Sequence, residues 1–285
     1  YTNQESYKLD YIAYIELGEK KVEYPYDNFK EFYTKDWALF VKYNIHDTEL
    51  VDKLEDKMKL IELVYTLAYS AKINYEDVFS PVRMWDMIIY NYLHERNIAI
   101  PPKTEDPEDA SDFEGGYVKD PIVGPHKWVA SFDLNSLYPH LIQQYNISPD
   151  TIIEPEKYTI EHLKILNQRI NIDTMLSKDV DTSLLKNNNC TLTPNGQLFD
   201  VNTQGFLPKI MEEMYNDRTR YKKEAIKAKK ELEKETDPLK RTEIEKTIAR
   251  YNNLQLAKKV SLNSAYGALG NEYFLFFDVR QASAI

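Results

Sequence analysis

Ser131-Phe132-Asp133-Leu134-Asn135-Ser136-Leu137-Tyr138-Pro139 sets one carboxylate where an apolar run, Trp128-Val129-Ala130-Ser131-Phe132, opens into a compact polar turn. Aromatic and β-branched residues ahead of a turn read as a strand, so a strand over residues 128–134 is expected. A carboxylate at a strand tip faces a site without being buried unpaired. Further along, Lys259-Val260-Ser261-Leu262-Asn263-Ser264-Ala265-Tyr266-Gly267 lies in a helical run, with Lys259, Asn263 and Tyr266 on one side of it. An acid at a strand tip and cations on a facing helix are what a site needs to hold a metal-bound triphosphate.

The 285 residues carry 36 Lys+Arg against 46 Asp+Glu, a formal net charge of −10. That total argues against a nucleic-acid partner, but its distribution does not. Residues 209–260 hold 15 basic and 10 acidic side chains, a balance of +5, which leaves 21 against 36, or −15, for the remainder. Phosphate binding follows local cationic density more than total charge, so a basic arm on an acidic body is compatible with it. A solvated charged helix would show the same counts. Hydrophobic content of 42% suffices for ordinary cores, in one large domain or two to three smaller ones. No apolar run approaches the ~20 residues of a membrane span, and Tyr1-Thr2-Asn3-Gln4 is not a signal peptide. The single cysteine, Cys190, excludes an internal disulfide framework and a cysteine metal cluster, and a reducing, cytoplasmic setting is expected.

Tyr11-Ile12-Ala13-Tyr14-Ile15 reads as a strand, and residues 37–65 have helical periodicity with no Pro or Gly. Helix is expected again over 81–96. The acidic stretch 103–116 reads as a surface connection ending in Gly115-Gly116, with Gly116-Tyr117-Val118 strand-like. Residues 150–204 are expected to be irregular, with turns at Asn187-Asn188-Asn189 and Pro194-Asn195-Gly196. After Pro208 there is again no Gly or Pro up to Lys234, and after a break at Thr236-Asp237-Pro238 a second helix runs over 239–266. So short a turn makes the two helices an antiparallel hairpin. At ~1.5 Å per residue it is an arm of roughly 40 Å, and a purely structural coiled coil would look the same.

Arg218 and Lys222 are four apart on that hairpin, as are Lys259 and Asn263, with Tyr266 and Gly267 one turn further. Both clusters fall at the end away from the Asp237-Pro238 tip. Three cations converging at one base have little structural purpose. Near the start, Tyr43-Asn44-Ile45-His46-Asp47 places Tyr43 and Asp47 on one helix face, where both could hold a metal-bound water.

Together these motifs resemble those of the family B DNA polymerases. Asp133, Ser136, Leu137, Tyr138 and Pro139 match motif A, and Lys259, Asn263, Ser264, Tyr266 and Gly267 match motif B. Gly205-Phe206-Leu207-Pro208 leading into Arg218 and Lys222 matches the family's fingers entry, and Tyr43 with Asp47 matches the third motif of its proofreading 3′–5′ exonuclease. Phe79-Ser80-Pro81-Val82-Arg83 and Gly115-Gly116-Tyr117-Val118 are similar to connecting segments of T-even-type phage polymerases, so the resemblance runs from about Tyr7 to Ile285. His140 departs from the small residue usual at its position. The family's third polymerase motif, an Asp-Thr-Asp hairpin, belongs after motif B and is not reached by Ile285. Asp179-Val180-Asp181-Thr182 has a related spacing but precedes motif B, and reads as a surface loop. The chain is therefore expected to be an interior piece, which its start at Tyr1 rather than Met also suggests.

The resemblance implies an α+β fold. It comprises the end of a ribonuclease-H-like exonuclease domain (1–66), a connecting segment (67–115), the first part of a palm sheet with motif A (116–204), an antiparallel helical-hairpin fingers domain with motif B (205–270) and a return to the palm (271–285). It implies template-directed DNA synthesis, a primer 3′-hydroxyl attacking a dNTP with two Mg²⁺. Asp133 and the Leu134 carbonyl would be metal ligands. Ser136, Leu137, Arg218, Lys222, Lys259 and Asn263 would bind the nucleotide, with Lys259 the acid that protonates the leaving pyrophosphate. Tyr138 would lie under the incoming sugar and exclude a 2′-hydroxyl, while Tyr266 and Gly267 would face the nascent base pair. Tyr43 and Asp47 would belong to the exonuclease site, Asp47 as a metal ligand. Implied partners are primer-template DNA, dNTP and, for the intact enzyme, a sliding clamp, in the cytoplasm of a phage's host. The alternative is a non-catalytic DNA- and nucleotide-binding subunit of a split polymerase, active only with a partner chain.

Overall fold

The computed structural model describes residues 4–102 and 119–285, which divide into two compact units, Tyr1–Tyr65 and Thr66–Ile285. Among the described residues the structure is mostly helical, with one two-stranded sheet.

The first unit begins with α1 (Leu9–Leu17), where residues 11–15 had been expected to form a strand. A five-residue strand needs a neighbour to take its N–H and C=O groups, and none is paired with it among the described residues. A helix satisfies those groups internally. It buries Ala13 and closes on Gly18, whose φ of 73° lets its N–H reach the Tyr14 carbonyl. Then α2 (Phe29–Lys35) and α3 (Trp37–Met58) are capped by Asn28 and Asp36 side chains, which accept from Glu31 N and Leu39 N. Phe32, fully buried, centres an aromatic cluster: Tyr24 stacks on it at 4.5 Å, and Phe40 and Tyr43 meet it edge-on at 5.3 and 5.8 Å. The helical periodicity expected over 37–65 is interrupted at Lys59, which takes a left-handed φ of 53°. Here α4 (Leu60–Ala71) starts afresh, its first free amides at Leu60 and Ile61 donating to the Glu55 carboxylate at 3.0 and 3.1 Å. The boundary between the two units falls inside α4.

In the second unit α5 (Pro81–His94), with Ser80 as cap and Pro81 in its first turn, buries Met84, Trp85, Ile88, Ile89 and Leu93. The expected connection over 103–116 and the strand-like 116–118 lie outside the described residues. Residues 128–134 form no strand, contrary to expectation. Nothing among the described residues pairs with them; Trp128 is wholly exposed and Phe132 is 92% exposed. The palm sheet expected from this segment is thus not formed here. Helix α6 (Leu137–Tyr145) follows, ending at Asn146 in the left-handed region.

The stretch expected to be irregular contains α7 (Ile160–Leu166), α8 (Ile172–Leu176), α9 (Ser183–Asn187) and a hairpin of β1 (Cys190–Leu192) and β2 (Leu198–Asp200). The strands are antiparallel with Thr191 opposite Phe199, joined by a turn in which Gly196 has a φ of 82°. Ile165, Val180, Cys190, Leu192 and Leu198 form a core of their own around it.

The two long helices are α10 (Phe206–Leu232) and α11 (Pro238–Leu269), packed against each other as the expected antiparallel hairpin. Buried Ala225 and Ala228 on one and Ala257 on the other allow the close approach. At the tip Asp237 caps α11, and Arg241 donates to the carbonyl of Leu232, the last residue of α10, and to that of Glu235 in the turn. At the base, Trp85 Nε1 donates to Ser261 O at 3.0 Å and Ser264 Oγ at 3.1 Å, which fixes α11 on α5. The start of α10 is capped from a distance: Asn146 Oδ1 accepts from Gly205 N, Ser148 Oγ from Leu207 N and the Asp150 carboxylate from Phe206 N. Last comes α12 (Val279–Ser283), held by Arg280 between Glu154 at 2.6 Å and Asp278 at 2.7 Å; these carboxylates, Glu154 first, push the arginine pKa above its usual value.

A Cβ added at Gly205 would lie 2.5 Å from Ser148 Cβ and 3.0 Å from Thr151 Cγ2. Gly205→Ala should lower unfolding free energy by about 1–3 kcal/mol through overpacking, read as a lower thermal midpoint; an unchanged midpoint would mean the cap is not formed.

Candidate active site

Motif A meets the hairpin at the start of α6. Ser136 caps the helix with φ 51° and ψ 50°, and its carbonyl accepts from His140 N at 3.1 Å. This turn presents the Ser136 hydroxyl to α10, where Arg218 Nη1 donates to it at 3.1 Å. The Tyr138 ring stacks on Tyr266 of α11, centroids 4.6 Å apart and planes 16° from parallel. Burial, then Tyr138, raises the Tyr266 pKa above the usual tyrosine value. His140 donates from Nδ1 to Ser136 O at 2.9 Å and lies edge-on to Tyr215 at 4.8 Å. Side chains at 136, 138 and 140 thus each touch the hairpin.

Asp217 pairs with Arg220 at 2.8 Å and, across the hairpin, with Lys258 at 3.7 Å. The second pair joins α10 to α11 next to Arg218 and Lys259. Lys222 lies one turn beyond Arg218, and Lys259 and Asn263 share the face of α11 that leads to Tyr266. Lys222, Lys259 and Asn263 are exposed. Among the described residues Arg218, Lys222 and Lys259 have no carboxylate partner, although neighbouring Arg220 and Lys258 do. Arg218 Nε is buried without a hydrogen-bond partner.

Asp133 and Leu134 precede this cluster and are exposed. Leu137 is exposed at the first position of α6. No three His, Cys, Asp or Glu side chains group to hold a metal ion among the described residues. Asp133 and the Leu134 carbonyl are therefore one carboxylate and one carbonyl, short of the set a two-metal centre requires.

In the first unit, α3 does bring Tyr43 and Asp47 to one face. Lys21 lies between them, its Nζ 2.6 Å from Asp47 Oδ2 and 4.6 Å from the Tyr43 ring centroid. Burial opposes the Lys21 charge, but Asp47 and then Tyr43 outweigh it and hold its pKa above the usual lysine value. Asp47 Oδ1 is buried without a hydrogen-bond partner, and Tyr43 is 7% exposed. An ion at Asp47 would have to compete with this lysine.

The profile of DNA polymerase family B matches residues 83–285. The chain belongs to this family. It is 32% identical to the DNA-directed DNA polymerase of Escherichia phage RB69 and 30% identical to that of Enterobacteria phage T4, over 100% of this chain and 34% of each relative. DNA polymerase II of Escherichia coli K12 is 24% identical over 99% of this chain and 30% of its own length. The chain spans about a third of the length of these curated relatives. The similarity to the phage enzymes bears out the resemblance to T-even-type polymerases.

Three contacts in this family B chain escaped sequence reasoning. Lys21 sits 26 residues before Asp47 in a stretch with no periodicity, so nothing in the spacing singled it out. Asp217 and Lys258 flank Arg218 and Lys259 directly, and opposite charges beside the chosen cations were a usable signal. Tyr215, which meets His140 edge-on, lies one turn before Arg218 and belongs to none of the motifs.

Gly267 lies within α11, and a Cβ there would meet nothing within 4 Å. Neither turn nor packing requires glycine, which inside a helix costs about 0.5–1 kcal/mol relative to Ala. Gly267→Ala should raise the stability of the chain by roughly that amount in denaturant titration while slowing primer extension by a polymerase that contains it. Unimpaired extension would remove Gly267 from the base-pair surface.

Proposed function

We propose that this chain provides the dNTP-binding part of a phage-type replicative DNA polymerase, working within a longer enzyme. The observation that carries this is the hairpin base: Arg218 donates to Ser136 of the turn, and Lys222 and Lys259, on the same arm in a chain of net charge −10, have like Arg218 no carboxylate partner among the described residues. Cations left unpaired beside polar amides and a hydroxyl suit a polyanion. In this reading residues 116–204 belong to the palm, 205–270 are the fingers and 271–285 return to the palm; 1–66 is the end of a 3′–5′ exonuclease domain, joined through 67–115.

The primer 3′-hydroxyl gives up its proton to water and attacks the α-phosphorus of the dNTP, and the bond from that phosphorus to the pyrophosphate oxygen breaks. Arg218, Lys222 and Lys259 hold the triphosphate against the Ser136 hydroxyl and the amides of residues 135–138, and Lys259 gives a proton to the departing pyrophosphate. Asn263 lines the nucleotide pocket. Tyr138 lies against the sugar and leaves no room for a 2′-hydroxyl, and Gly267 admits the nascent base pair with Tyr266 beside it. Within the longer enzyme Asp133 and the Leu134 carbonyl would be ligands for Mg²⁺, which would offset the negative charge of the reacting phosphates. Tyr43 and Asp47 serve exonuclease chemistry once Lys21 is displaced. Primer-template DNA and dNTP are the partners, a sliding clamp joins the complete enzyme, and the setting is the host cytoplasm. No helix of the described residues is long and apolar enough to cross a membrane.

The incomplete carboxylate set favours one second reading, in which this chain alone is a DNA- and nucleotide-binding subunit that works with a partner chain. Primer extension separates the two: activity restored only by adding a separately encoded remainder supports the subunit.

Asp133→Asn in the full-length polymerase should reduce extension by at least about a thousandfold while primer-template affinity changes less than about threefold, since one charged ligand is lost from the reacting centre but not from the DNA-binding surface. Extension at the unaltered rate would exclude Asp133 from the site.

A further inference from the structure

We propose that Tyr266 is a positioning residue for sugar selection, acting through the ring of Tyr138. The inference rests on the proposed reading of Tyr138 as the group that excludes a 2′-hydroxyl. A ring can exclude one oxygen atom only if it cannot swing aside by about the width of that atom. The backbone of Tyr138 is well fixed: Ser136 turns the chain at φ 51°, its carbonyl takes the amide of His140, and Pro139 is buried. The side chain is a separate matter. Tyr138 is half-buried at the second position of a short helix, and its ring stacks on that of Tyr266. The two planes lie 16° from parallel at 4.6 Å, so Tyr266 blocks rotation of Tyr138 toward α11.

Tyr266 is itself firmly seated. It is half-buried on α11 between buried Ala265 and Ala268, one turn beyond Leu262, which is also buried, and the hydrogen bonds from Trp85 to Ser261 and Ser264 fix that segment of the helix. The chain of support runs from Trp85 through α11 to the Tyr266 ring and then to the Tyr138 ring. Sugar selection would then depend on a residue that faces the base pair, because both tasks use one aromatic stack.

The test is single-nucleotide insertion opposite dG by the full-length polymerase, comparing kcat/KM for dCTP and rCTP. In Tyr266→Leu, which keeps apolar bulk but removes the stacking plane, selectivity for dCTP should fall about three- to tenfold, chiefly through a lower KM for rCTP. Tyr266→Phe keeps the plane and should retain the original selectivity whatever happens to its overall rate. Tyr138→Ala tests the underlying reading and should raise rCTP insertion on its own. Relaxation by Tyr138→Ala with unchanged selectivity in Tyr266→Leu overturns the positioning role alone. No relaxation by Tyr138→Ala overturns the reading of Tyr138 and the inference with it. Should Tyr266→Leu fail to fold, Tyr266→Met gives the same comparison; a loss of dCTP and rCTP insertion in equal proportion by either variant indicates a merely structural ring and also overturns the proposal.

Discussion

The placement of the candidate site depends on how the first turn of α10 is capped. A helix leaves its first amides without partners, and Gly205 has no side chain with which to answer them. Asn146, Ser148 and Asp150 do so instead, from the far end of α6. The same Asn146 also donates to the Asp200 and Thr203 carbonyls. One left-handed residue after α6 therefore joins the motif A helix, the β-hairpin and the base of α10. With α6 fixed in this way, Ser136 reaches Arg218 and Tyr138 reaches Tyr266. Lose the cap, and the two halves of the site have no reason to remain at hydrogen-bonding distance.

Electrostatics then sort the hairpin's cations. Asp217 takes up Arg220 and Lys258, the cations beside the ones assigned to the triphosphate. Exposed pairs of this kind add little stability, often below ~1 kcal/mol, so their value here is geometric. With Arg220 and Lys258 drawn to Asp217, Arg218 next to it is left to donate to Ser136. The first unit uses the opposite device. Its lysine at position 21 is paired with Oδ2 of the acid read as the exonuclease ligand, while Oδ1 of that carboxylate stays buried without a partner.

What could be read from the sequence follows from which interactions are local. The hairpin was legible because helix periodicity, the Asp237-Pro238 cap and the absence of Gly and Pro act over a few residues. That Tyr138 belongs with Arg218 and Tyr266 was implied by the family resemblance, whereas the helix that carries Tyr138 was not expected. The strands expected at 11–15 and 128–134 were not formed, because strand pairing is decided by a partner elsewhere in the chain, and apolar five-residue runs do not reveal whether one exists. The interruption at Lys59 was hidden for a different reason: a lysine in the left-handed region breaks the helix where no Gly marks the place, with the Glu55 carboxylate supplying the compensation.

The distant cap also has a kinetic meaning. The contacts between α10 and α11 join neighbouring segments, whereas Asn146 must find Gly205 across 59 residues. Contacts that close long loops form late, because the entropy of the loop is lost before the bond repays it. During synthesis α6 leaves the ribosome well before α10, and the block of α7–α9 with the β-hairpin must shorten the intervening loop first. The long arm therefore assembles as an independent rod and docks afterwards, so that errors in the short, polar block around the β-hairpin would appear as a mis-seated arm and not as a damaged one.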